Sequence, residues 1–120
     1  MDPERAKELL ERERERVLRE LKDLRLGRGG DEELSKIDQH PADAGTELFE
    51  EERDQSMIER LESELEAIER ASKRLADGTY GFSVESGEQI PDKRLEAVPH
   101  AERTVAEQAR FEAASRNAHS

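Results

Sequence analysis

The sequence predicts a mostly α-helical protein: a long antiparallel coiled-coil hairpin, followed by a small finger-like C-terminal unit and a terminal helix. Three observations carry that prediction. Two long segments run without a helix breaker and each bears a single apolar stripe. Between them lies a short stretch rich in Gly, Asp and Pro. After Gly78 the texture changes to short apolar groups punctuated by Gly81, Gly87, Pro91 and Pro99. A single apolar stripe leaves a helix incomplete, and two such helices joined by a compact loop pack most simply on each other.

The first helix opens with Asp2 as N-cap and Pro3 at the first helical position, and runs to Gly27. Ala6, Leu10, Val17, Leu21 and Leu24 form a seam of coiled-coil type, interrupted at Glu13 and Arg14. From Asp2 to Arg25 eight acids meet eight bases, so this arm is neutral and its outer face solvated. Gly27, Gly29 and Gly30 end it, and residues 31–46 read as an ordered loop or short helical turn.

Thr46 can cap the second helix, and Gly78 stands where a helix ends in the left-handed conformation. Ile58, Leu61, Leu65, Ile68, Ser72 and Leu75 alternate three and four apart, a heptad seam. At 1.5 Å per residue this helix is roughly 45 Å long. Residues 1–78 thus form the hairpin, with a tip loop at about 27–46, and residues 79–120 the small unit. Its expected core is Tyr80, Phe82, Val84, Ile90, Leu95, Val98 and Val105. A last helix from about Ala101 adds Phe111, and the chain frays from Ser115.

The composition narrows the function. Of the 120 residues 42% are charged and 32% hydrophobic, with four aromatics and a net charge of −11. That balance argues against a general binder of nucleic acid or anionic membranes, which would repel it. The excess acid sits in residues 31–70, where fifteen acids face four bases. The absence of cysteine removes disulfides, thiolate metal sites and cysteine nucleophiles together. The charged amino terminus is unlike a signal peptide and no run has membrane-spanning length, so a cytoplasmic protein is the expectation. No phosphate-binding glycine loop or nucleophile and base motif occurs, so neither catalysis nor a cofactor is expected.

The C-terminal unit carries a more specific signal. Tyr80-Gly81-Phe82-Ser83-Val84-Glu85-Ser86-Gly87, then Ile90-Pro91, Arg94-Leu95-Glu96-Ala97-Val98-Pro99 and Thr104-Val105-Ala106-Glu107, resemble the signature of the DksA/TraR-type zinc-finger family. That signature reads Y-G-x-C-x-x-C-G, I-x-x-x-R-L-x-A-x-P and C-x-x-C. The match fails only at the ligands: Ser83, Ser86, Thr104 and Glu107 stand at the four cysteine positions. His40 to Asp54 is similar to the tip and second-arm start of a Gram-positive branch of the same family. Serine and threonine hydroxyls are poor zinc ligands, and His40, His100 and His119 have no ligand spacing, so no metal is expected. Other forces must then hold the unit, among them hydrogen bonds from the hydroxyls that replace sulfur.

The resemblance implies a bacterial regulator of transcription, of the kind linked to stress responses. It would bind RNA polymerase directly as a monomer, without touching DNA. The coiled-coil hairpin would enter the secondary channel and bring an acidic tip near the catalytic magnesium. The family's tip motif spaces an aspartate, a second aspartate and an alanine; here those positions read His40, Asp43 and Gly45. Only Asp43 is retained, and Asp38 could supply the missing carboxylate if the loop folds back. Lys73, Arg74, Lys93 and Arg94 fall where the family contacts polymerase and, in some members, the alarmone ppGpp, although no motif here supports ppGpp binding. Their structural alternative is ion pairing with Asp77, Asp92 and Glu96. Two rival readings remain at this stage, an acidic coiled-coil adaptor for another basic protein surface and an anionic nucleic-acid mimic.

Overall fold

The computed structural model describes residues 1–26 and 44–118. Four helices occur among them: α1 Pro3–Arg25, α2 Ala44–Asp77, α3 Asp92–Ala97 and α4 Val105–Ala118. The coiled-coil hairpin with a finger-like unit is the architecture found. No helix among the described residues is long and apolar enough to cross a membrane. The chain forms two compact units, one of Arg14–Glu66 and one of Met1–Glu13 with Ala67–Ser120.

The helix boundaries follow local chemistry. Asp2 caps α1, its carboxylate accepting the Arg5 N–H at 3.2 Å and its carbonyl the Ala6 N–H at 2.9 Å. Gly78, at φ 84°, ends α2, and the next N–H, from Thr79, reaches back to the Arg74 carbonyl at 2.8 Å. This is the Schellman closure that a glycine after the last helical residue permits. The second helix starts at Ala44, two residues before the expected cap Thr46.

In the unit Arg14–Glu66, Val17 and Leu21 of α1 and Ile58 and Leu61 of α2 are buried, while Leu24 and Leu65 are half-buried. Arg25 pairs with Glu62 at 2.6 Å, and Arg16 pairs with Glu64. Residues later in α1 meet residues earlier in α2, so the arms are antiparallel.

In the other unit, Ala6, Leu9 and Leu10 of α1 and Ile68 and Ala71 of α2 are buried. The α2 stripe therefore passes through Ala71, whereas Ser72, expected in the seam, is exposed and Leu75 is half-buried. The finger core is Ile90, Leu95 and Ala101, with Tyr80, Val98 and Met1 packed against it. Burial pushes the Tyr80 phenol up to about 12, and its hydroxyl donates to the Pro99 carbonyl at 2.8 Å. Four expected core residues are instead exposed: Phe82, Val84, Phe111 and, at 65%, Val105. Phe82 and Val84 flank Ser83, the residue turned inward, and so point the other way. Phe111 lies under the Arg103 guanidinium, 3.8 Å from the ring centroid, a cation–π contact at the surface. The last helix begins at Val105, because Ala101 is taken into the core and Thr104 caps the helix.

These burials rank the seam. Ile68→Ala, at a fully buried site, should cost about 2 to 5 kcal/mol in urea unfolding. Leu65→Ala should cost clearly less because its side chain is only half-buried. Equal losses would show that the stripe runs through Leu65.

Candidate functional site

The four positions aligned with the family's ligands come together at one point. Ser83 and Glu107 are each 5% exposed, although both are polar. Gly87, at φ 76°, closes the first turn, its N–H bonding the Ser83 carbonyl at 3.0 Å. The Ser83 Oγ accepts the N–H groups of Glu85 at 3.0 Å and Ser86 at 3.3 Å, and the Ser86 Oγ accepts the Glu88 N–H at 3.2 Å. An isolated antiparallel bridge, Phe82 to Gln89, holds the sides of the turn.

The second pair of positions forms a capping box at the start of α4. The Thr104 N–H donates to Glu107 Oε1 at 2.9 Å, and the Glu107 N–H donates to Thr104 Oγ1 at 3.3 Å. The Glu107 side chain faces the serine turn. Hydrogen bonds from the Ser83 and Ser86 hydroxyls, then from the Thr104 backbone and hydroxyl, hold its carboxyl down at about 2.

Zinc does not fit this set. A structural zinc takes thiolates and imidazoles, and the donors here are three neutral hydroxyls and one carboxylate. That carboxylate is already engaged by the Thr104 N–H in the capping box.

Ion pairs fasten the finger to the helix ends within the same unit. Arg5 grips Glu96 with two bonds, of 3.2 and 3.0 Å. Arg70 grips Glu102 likewise, at 3.0 and 2.9 Å, and Arg74 adds a third contact at 3.3 Å. The Arg70 hydrogen bonds hold the Glu102 carboxyl below its ordinary range against the opposing effect of burial.

The basic cluster is divided by these contacts. Arg74 is engaged with Glu102, and the Arg94 Nε donates to the Arg103 carbonyl at 2.8 Å, whereas Lys73 and Lys93 are exposed. The acids expected to pair with the cluster serve other groups. Asp92 meets the Met1 amino group at 3.0 Å, Glu96 meets Arg5, and Asp77 accepts from the Thr79 hydroxyl at 2.6 Å. Glu102, which the sequence reading missed, is the acid that matters here; a lone glutamate in a loop gives no periodic signal. Asp38, His40 and Asp43 lie outside the described residues, and so does His119. Gly45 falls in the first turn of α2.

The outer ends of α1 and α2 and the two-turn finger share one compact unit. The model of the prokaryotic dksA/traR C4-type zinc finger matches residues 78–113. General stress protein 16O of Bacillus subtilis (strain 168) is 44% identical over 81 residues, covering 67% of this chain and 50% of that protein. Protein YteA of the same organism is 45% identical over 69 residues, covering 58% and 29%. The chain thus spans half or less of the length of these relatives. Among solved structures, transcription factor DksA2 from Pseudomonas aeruginosa is 30% identical, with 90% of this chain and 86% of that one covered and a TM-score of 0.49. The RNA polymerase binding protein and transcriptional regulator Dks from Chlamydia trachomatis L2 is 32% identical, with 70% and 92% covered and a TM-score of 0.42. By its C-terminal unit the chain belongs to the DksA/TraR zinc-finger family, as a member without the four cysteines.

Two outcomes are expected. Chelator should leave the thermal transition in place, and elemental analysis of the purified protein should find no stoichiometric zinc. Glu107 should titrate near 2 by carboxyl-carbon NMR. Because its folded pKa lies below the ordinary 4.5, its contribution to stability is complete above that value and is lost as the pH falls toward 2. A midpoint at 4.5 would mean that the hydroxyls do not hold the anion.

Proposed function

We propose that the protein binds bacterial RNA polymerase directly and regulates transcription through the secondary channel. The observation that carries this reading is the family finger at residues 78–113, packed in one unit with both ends of the helical hairpin. The charge distribution is compatible with it. Residues 31–70 hold the net negative charge of the chain, and Asp43 is the one carboxylate retained from the family's tip motif. A carboxylate brought to a site built around divalent cations can compete for or reposition them.

In this reading Asp43 acts at the polymerase active site, with Asp38, His40 and Gly45 shaping the tip. Of the basic cluster, Lys73 and Lys93 are the groups offered to polymerase, since Arg74 and Arg94 hold the finger. The protein works as a cytoplasmic monomer and makes no contact with DNA.

Pull-down with core polymerase, followed by competition with a known secondary-channel factor, tests the binding mode. Retention that the competitor abolishes supports the proposal; retention that it leaves untouched favours an acidic adaptor or nucleic-acid mimic. Asp43→Asn should leave binding intact and lower the effect on transcription in a purified polymerase assay. If Asp43→Asn changes nothing while neutralising Glu50, Glu51 and Glu52 abolishes binding, the acidic arm is the interaction surface.

A further inference from the structure

We propose that Arg103 is the clasp of the finger. It holds the serine turn, residues 83–88, as a strap that opens and closes with ionic strength, where a metal finger is locked by its ion.

The strap buries little of its own. Phe82 and Val84 are half exposed and Glu85, Ser86, Gly87 and Glu88 are exposed, so Ser83 is the residue that it turns inward. The Ser83 and Ser86 oxygens accept N–H groups of the turn itself, which fixes the shape of the strap and not its position. Its roots are held by the Phe82 to Gln89 bridge. Its attachment to the segment between α3 and α4 comes from the Val84 N–H, which donates to the Glu102 carbonyl at 2.9 Å, and from Glu85, whose Oε2 accepts the Arg103 Nε at 2.5 Å.

Arg103 joins that strap to both helices of the finger. Its guanidinium carbon stands 3.8 Å from the ring centroid of Phe111, in the second turn of α4. Its carbonyl accepts the Arg94 Nε at 2.8 Å, which ties it to α3. A planar guanidinium can lay its face on a ring and give its edge to a carboxylate at the same time, which an ammonium group cannot do. The Arg103 side chain is 17% exposed and that of Glu85 43%, so the pair is open to screening on the strap side.

The alternative is that this is one of the many surface ion pairs that contribute nothing measurable, the strap being held by its own turn. The Val84 amide separates the two, because its hydrogen bond crosses from the strap to Glu102. In the full chain at low salt, Arg103→Lys should speed Val84 hydrogen exchange about tenfold, since it forfeits the ion pair and the stacked ring together. Glu85→Gln, at an exposed site that does not threaten folding, should speed it severalfold, and the α1 amides of Leu9 and Leu10 should keep their rates in that variant. Raising sodium chloride from about 0.01 to about 1 M, which shortens the Debye length roughly tenfold, should speed Val84 exchange in the wild type and leave it unmoved in Glu85→Gln. Wild-type Val84 exchange in either variant would overturn the proposal. So would an equal salt effect with and without the Glu85 carboxylate, or an equal acceleration of Val84 and the α1 amides in Glu85→Gln. These readouts are independent of polymerase and stand whether or not the proposed binding does.

Discussion

The C-terminal unit is built around a buried polar contact, the Thr104–Glu107 capping box, with Ser83 buried as well. The apolar core there consists of Ile90, Leu95 and Ala101 with Tyr80, Val98 and Met1 at its margin. A core of that size is too small to order two polar turns alone. A buried charge is costly unless every lone pair is met, and a half-satisfied network would be worse than none. Glu107 is held by the Thr104 N–H at the start of α4, and the inward Ser83 oxygen is met by the N–H groups of Glu85 and Ser86.

The same unit gains a second set of constraints from the helix ends. Arg5 to Glu96 and Arg70 with Arg74 to Glu102 join α1 and α2 to the segments on either side of Val98. The planar guanidinium matches a carboxylate with two parallel bonds, which fixes orientation as well as distance. This explains why arginine and lysine part company in the basic cluster. Arg74 and Arg94 have planar geometry suited to fixed partners and are used inside the fold, whereas Lys73 and Lys93 stay exposed.

How far the sequence revealed this depended on the periodicity available. The hairpin seam was legible because Val17, Leu21, Ile58, Leu61 and Ile68 repeat at helical spacing, and these side chains are buried. The seam slipped only where a small residue decided the matter: Ala71 is inward and Ser72 outward, a distinction that a three-four alternation does not make. In the finger, apolar character does not mark the core: Phe82 and Val84 are exposed and Ser83 between them is buried. In a turn that directs Ser83 to the centre, Phe82 and Val84 must face away, so the polar residue was the better guide. The Thr104-x-x-Glu107 capping box was visible as letters, but its meaning needed the serine turn opposite, which only the fold supplies. The tip positions Asp38, His40 and Asp43 rest on the resemblance alone.

The distribution of charge follows from what the arms do for each other. The first helix is neutral in sum, yet Arg16 and Arg25 spend their charge on Glu64 and Glu62 of the second. Cross-arm pairing of this kind offsets repulsion along the acidic helix, and partly exposed pairs contribute little beyond that. Glu51 and Glu52 lie nearer the start of α2 and remain exposed. The paired stretch of α2 thus has its charge offset across the arms by Arg16 and Arg25.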